Sequence, residues 1–187
     1  MIEKINQFLS NYYSLFPEER GLFSVLVGQL QAQEDLIGRK NFNGHVTASG
    51  LLILDNRQVL AIFHQALQKY LQPGGHIEST DQHLAETAGR EIREEAGIED
   101  IKLSDWCQIN QCPILIDTHL IPANAKKQED EHYHHDFMFV FQTNNSRIMI
   151  DDNEVSGFQW LAISEARKQE SNIARALNKM ATLGLIK

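Results

Sequence analysis

Residues 74 to 98, GGHIESTDQHLAETAGREIREEAGI, constrain this chain more than any other stretch. A pair of glycines feeds a helical period expected from about Asp81 to Ala96, in which Leu84, Ala88 and Ile92 follow at four-residue steps as one apolar stripe. Gly97 stands where a helix C-cap glycine belongs. On a different side from the stripe, Glu91, Glu94 and Glu95 occupy neighbouring parts of one face, since residues three and four apart are neighbours on a helix. Such like charges repel by about 0.2–0.5 kcal/mol per pair. Arg90, four residues before Glu94, offsets part of this. A divalent cation would offset the rest, and carboxylate oxygens are the hard donors that Mg²⁺ or Mn²⁺ takes. Acidic helix faces are more often simply solvated. The preceding Gly74-Gly75 reads as a glycine-rich turn and shifts the balance, because its backbone can approach a phosphate or a metal closely.

The rest of the pattern predicts an α+β domain with a central mixed sheet, preceded by a helical pair. Ile2, Ile5, Leu9 and Tyr12 have helical spacing, and Pro17 suits the first turn of a second helix running through Leu22, Phe23, Leu26 and Leu30 to about Gln33. Residues 37–44 read as a connector. Strands are expected at 45–54 and 58–63 around a turn at Asp55-Asn56-Arg57, and at 112–122, 132–142 and 157–161. A helix capped by Ser164 and a last helix at about 172–183 follow. The division expected is a helical extension, 1–42, and a main domain, 43–187.

Charge and composition narrow the function. With 17 Lys plus Arg against 25 Asp plus Glu, the formal charge is -8. That argues against nucleic acid as a partner, which calls for a basic surface. A small phosphorylated ligand bridged by a metal remains open. No apolar run approaches the ~20 residues that span a bilayer, so no membrane association is expected. The opening MIEKINQFLSNYY does not read as a secretory signal. Cys107 and Cys112, the only cysteines, then read as reduced thiols of a cytoplasmic protein.

Arg90-Glu91-Ile92-Arg93-Glu94-Glu95-Ala96-Gly97-Ile98 resembles, at every defined position, the second half of the Nudix hydrolase signature, R-E-U-x-E-E-x-G-U. In the first half, Gly75 is followed after five residues by Asp81, where the signature has Glu, and Arg90 comes one residue later than in the signature. The resemblance covers about residues 43–163 and implies an α/β/α sandwich around a mixed sheet. It implies hydrolysis of a nucleoside diphosphate linked to another moiety, with Mg²⁺ or Mn²⁺. On this resemblance Glu91, Glu94 and Glu95 are metal-binding carboxylates, and Arg90 orients a glutamate. Gly75 offers its carbonyl or backbone to the metal or diphosphate, and Asp81 takes the place of the first glutamate or acts as an N-cap. The general base is Glu95 or, outside the motif, Glu154, whose other reading is an exposed acidic turn.

Substrate choice lies elsewhere. On the same resemblance, Pro113 lies about where a proline follows the motif in ADP-ribose-cleaving relatives, which points to ADP-ribose or another nucleotide sugar, with a nucleoside triphosphate close behind. The alternative is a Nudix-fold module that senses a nucleotide without catalysis. His132, His134 and Asp136 share one face of a strand and, with His76 and His119, could line the site, hold a transition metal, or be plain strand-edge polar residues. Trp106, Phe137, Phe139 and Trp160 could stack a base or fill the core. The helical pair could be a homodimer arm, a lid or packing.

Overall fold

The computed structural model describes residues 1–64, 68–125, 128–149 and 155–187. Its centre is β1 (Gly44–Leu54), a strand buried along its whole length. Such a run needs neighbours on both edges and cover on both faces, and its apolar residues Val46, Ala48, Leu51, Leu52 and Ile53 supply the matching surface. On one edge it runs parallel to β7 (His132–Thr143), in unbroken register from Gly44 opposite Tyr133 to Leu54 opposite Thr143. All other pairings among the described residues are antiparallel, so the sheet is mixed.

The other edge of β1 is shared. Its end pairs with β2 (Gln58–His64) through a turn in which Asp55 and Asn56 both have positive φ, a conformation that short polar side chains tolerate. Its middle pairs with the short β4 (Gly74–His76). β2 in turn pairs with β3 (Lys69–Leu71) and with β8 (Val155–Ala162). Beyond β7 lie β5 (Lys102–Leu103) and β6 (Leu115–Ile121).

Helices cover both faces. The acidic helix α3 (Leu84–Ala96) packs where β1 has a glycine: a Cβ on Gly50 would lie 2.3 Å from the Ile92 Cδ1. On the opposite face, Asp117 of β6 bonds Asn172 and Arg175 of α6 (Asn172–Thr182). The N-terminal helix α1 (Ile2–Leu15), a 3₁₀ turn at Pro17–Phe23 and α2 (Ser24–Gln31) share one core with the sheet through Ile5, Leu9, Tyr12, Phe23 and Leu26. Phe8 meets Phe139 edge-on, with ring centres 5.3 Å apart. The Tyr12 hydroxyl donates to Glu19 at 2.6 Å and accepts from Lys179 of α6, tying the start of the chain to its end.

The expected elements are present, with five differences. The second helix begins as a 3₁₀ turn and leaves Leu22 exposed, as is Ile2 in α1. Gly74-Gly75, read as a turn, belongs to a strand. α3 starts at Leu84, and its N-cap is His83, whose ring nitrogen accepts from the Glu86 N–H at 3.1 Å. Ser164 caps nothing: it lies inside α5 (Ile163–Ala166), which has no side-chain cap, whereas Ser171 caps α6. The short β3 and β5 and α4 (Asp105–Asn110) carry too few residues to show a period. Gly97 has the left-handed φ of 63° expected of a C-cap.

Candidate active site

The site forms where β4 meets the middle of α3. Arg90 is its hub. Its Nη1 donates to Glu91 Oε1 at 2.9 Å and to Glu94 Oε2 at 2.8 Å. Its Nη2 donates to the His76 carbonyl at 2.8 Å, and Nε and Nη2 together hold the two oxygens of Asp81 at 3.2 and 3.0 Å. Glu78 stands 4.0 Å away. One guanidinium therefore fixes two glutamates of the helix, the loop before it and the strand before that. A planar fork with five donors makes this geometry available to Arg and not to Lys.

Burial alone would lower the pKa of this guanidinium, but the bonds and charges of Asp81 and Glu91 outweigh it and raise it, so it stays charged. Burial also pushes the Asp81 carboxyl up. The bonds from Arg90 and the Glu78 N–H prevail and hold it below the ordinary carboxylate range.

Glu91 and Glu95 are buried, while Glu94 has 54% of its side chain exposed. Glu95 accepts the Gly74 N–H at 2.9 Å. Gly75 faces Glu91: a Cβ there would lie 2.5 Å from Oε1 and 2.8 Å from Oε2. Only glycine leaves this space beside a buried carboxylate. Glu91, Glu94 and Glu95 thus lie on one helix beside β4, and carboxylate oxygens are the donors that suit a hard divalent cation.

The structure thus gathers Gly75, Asp81, Arg90, Glu91, Glu94 and Glu95, with the His76 backbone. Asp81 does not cap the helix; it holds Arg90. Glu154 lies outside the described residues. His134 and Asp136 stand on the other face of the sheet. Asp136 is buried and accepts from Ser49 Oγ at 2.6 Å and Thr47 Oγ1 at 3.1 Å, and burial raises its pKa. His134 joins His45, His76, His119 and His132, with ring centres 4.6 to 5.9 Å from its own. Phe137 and Phe139 are core residues, and Trp160 donates its indole N–H to the Ser146 carbonyl.

Sequence reasoning passed over Glu78 and the row His45, Thr47, Ser49. The last had a signal, polar residues at alternate positions of a strand otherwise apolar. The Gly74-Gly75 backbone was expected to approach a phosphate or metal; in the structure the Gly74 N–H bonds Glu95.

The NUDIX domain family profile matches residues 44–180. A protein of Lactococcus lactis subsp. cremoris (strain MG1363), named a probable DHNTP pyrophosphohydrolase, is 32% identical over 108 residues, which cover 58% of this chain and 60% of that protein. Among solved structures, a NUDIX family hydrolase from Clostridium perfringens superposes with a TM-score of 0.54 at 22% identity, covering 74% of this chain and 97% of that one. The Escherichia coli dihydroneopterin triphosphate pyrophosphohydrolase gives 0.53 at 18% identity, covering 74% and 95%. These two likenesses concern the fold, a mixed sheet between helices. The profile match spans most of the chain and includes every member of the Arg90 cluster, so this chain belongs to the NUDIX domain family.

Proposed function

We propose that this chain hydrolyses a pyrophosphate bond in a small nucleoside diphosphate derivative or triphosphate, with Mg²⁺ or Mn²⁺ as cofactor, in the cytoplasm. The observation that carries the proposal is the Arg90 cluster, in which one guanidinium aligns Glu91 and Glu94 beside the space kept open by Gly75. Glu91, Glu94, Glu95 and the Gly75 carbonyl would hold the cation. Bound there, it would supply charge neutralisation at the phosphate oxygens and a water of lowered pKa.

The chain's own residues then have distinct tasks. Arg90 keeps Glu91 and Glu94 aimed, through charge-assisted bonds. Glu95 would be the general base that takes the proton from the attacking water, a reading supported by the Gly74 N–H that holds one of its oxygens. Glu94 is the exposed one of the three helix glutamates, open to solvent and so to an arriving substrate.

Two substrate types are in view, a nucleotide sugar such as ADP-ribose and a triphosphate. The Lactococcus relative's name supports placing triphosphates, dihydroneopterin triphosphate among them, first in the test. Phosphate release coupled to a phosphatase would be followed across both types with Mg²⁺ or Mn²⁺. Turnover of one type, abolished by EDTA and by Glu94→Gln, is the expected result. Folded protein that turns over nothing on the panel would favour a nucleotide-sensing module instead.

A further inference from the structure

On the face of the sheet turned away from α3, imidazoles from three strands converge. His45 of β1 lies opposite His134 of β7 in the parallel register, and His76 of β4 lies opposite Thr47, two residues along β1. One ligand atom from each of the three lies within 4.8 Å of the others. His45 Nε2 and His76 Nε2 are 3.1 Å apart. His132 Nε2 and His134 Nε2 are 3.2 Å apart, so a fourth imidazole borders the cluster. Zinc–nitrogen bonds of 2.0–2.1 Å in a tetrahedron place neighbouring nitrogens about 3.3 Å apart. The closest pairs here have that spacing.

A second observation concerns which nitrogens face inward. His45 Nδ1 lies 3.2 Å from the Asn41 carbonyl, and His132 Nδ1 lies 2.6 Å from the Asp130 carbonyl. A carbonyl only accepts, so both Nδ1 atoms carry a proton and point outward, which turns both Nε2 atoms towards the cluster. This is the arrangement by which outer hydrogen bonds orient metal-ligating histidines.

We propose that His45, His76 and His134 form a site for one divalent transition-metal ion of the zinc type, separate from the carboxylate cluster, with His132 bordering the fourth position. Nitrogen donors select such an ion over Mg²⁺. The site would fasten β4 to β1 and β7. β4 carries Gly74 and Gly75, so the ion would act on the acidic helix only by holding the strand that faces it. The site does not depend on the hydrolase reading, and either can stand without the other.

The test uses the full chain, stripped of metal by a chelator and titrated with Co²⁺, then with Zn²⁺ as competitor. Tetrahedral, nitrogen-ligated Co²⁺ absorbs strongly in the visible range, whereas Co²⁺ among carboxylates and waters absorbs weakly. The expected result is one equivalent of strong absorbance, displaced by one equivalent of Zn²⁺, kept in Glu94→Gln and weakened more than about 100-fold in affinity in His76→Gln and His134→Gln. Should those variants not fold, imidazole ¹⁵N spectra of the unaltered chain with Zn²⁺ report coordination at His45, His76 and His134 directly. Absence of the strong band in the unaltered chain overturns the proposal. So does binding that His76→Gln and His134→Gln leave unchanged, or imidazole resonances that Zn²⁺ does not move.

Discussion

Asp81 holds Arg90 by two nitrogens, at 3.2 and 3.0 Å, from a loop outside the helix that carries the arginine. The same guanidinium aligns Glu91 and Glu94, so Asp81 acts on those carboxylates without touching them. Asp81→Asn keeps the shape and removes the charge. It should lower kcat about tenfold, in line with the loss of one charge-assisted bond, and leave KM within about twofold. Steady-state kinetics on the substrate found by the phosphate-release panel would check this. An unchanged kcat would make Asp81 a folding residue only.

Gly75→Ala tests the open space beside Glu91. The added methyl, 2.5 Å from Oε1, must push the carboxylate aside. Activity should fall by about 100-fold or more, since a displacement of about 1 Å is enough for that loss. Circular dichroism should stay unchanged, and added Mg²⁺ or Mn²⁺ should restore little. Recovery at high metal concentration would show that the carboxylate merely binds its cation less tightly.

Two glycines at the contact of α3 with the sheet, Gly89 in the helix and Gly50 in β1, should respond in opposite directions. A Cβ on Gly89 would meet Phe141 and Arg93 at 3.4 Å, close to ordinary contact, at a helix-interior position where glycine is costly. Gly89→Ala should therefore stabilise by about 0.5–1 kcal/mol. A Cβ on Gly50 would lie 2.3 Å from buried Ile92, and Gly50→Ala should destabilise by about 1–3 kcal/mol. Urea denaturation of both variants measures the difference in sign.

Asp117 gives a pH dependence. Burial pushes its carboxyl up, but bonds from His119, Arg175 and Asn172 outweigh that and hold it well below the ordinary range. A carboxyl depressed in the folded state contributes its full stability above about pH 5. That contribution is lost as pH falls through the ordinary value of ~3.9 towards the lower folded one. Asp117→Asn should cost about 2 kcal/mol at pH 7 and much less near pH 2. Parallel Tm curves for the two proteins across that range would rule out this pair as a source of acid sensitivity.

The sequence made the long elements legible because each has a period. The apolar stripe of α3, the continuous run of β1 and the helical spacing of α1 all lie where periodicity puts them. The misses share a cause. β4 is three residues with two glycines, and only its pairing with Thr47, Ala48 and Ser49 makes it a strand. His83 became the cap in place of Asp81 because tertiary contact with Arg90 claimed the aspartate's carboxylate. In the site, spacing revealed that Glu91, Glu94 and Glu95 are neighbours. It was silent on burial, which divides buried Glu91 and Glu95 from exposed Glu94. The convergence of His45 with His134 could not be read locally, because the parallel register that sets it joins distant parts of the chain.

That register also bears on how the protein comes into being. β1 and β7 meet along eleven pairs, with α3, β5 and β6 strung on the chain between them. Closing so long a loop costs entropy before any contact rewards it, and non-local pairings of this kind slow folding. His45 beside His134, and Thr47 beside Asp136, exist only after that closure. The histidine face cannot assemble in a half-folded chain, so a signal from those rings would report arrival at the native state, and its disappearance would mark global rather than local opening.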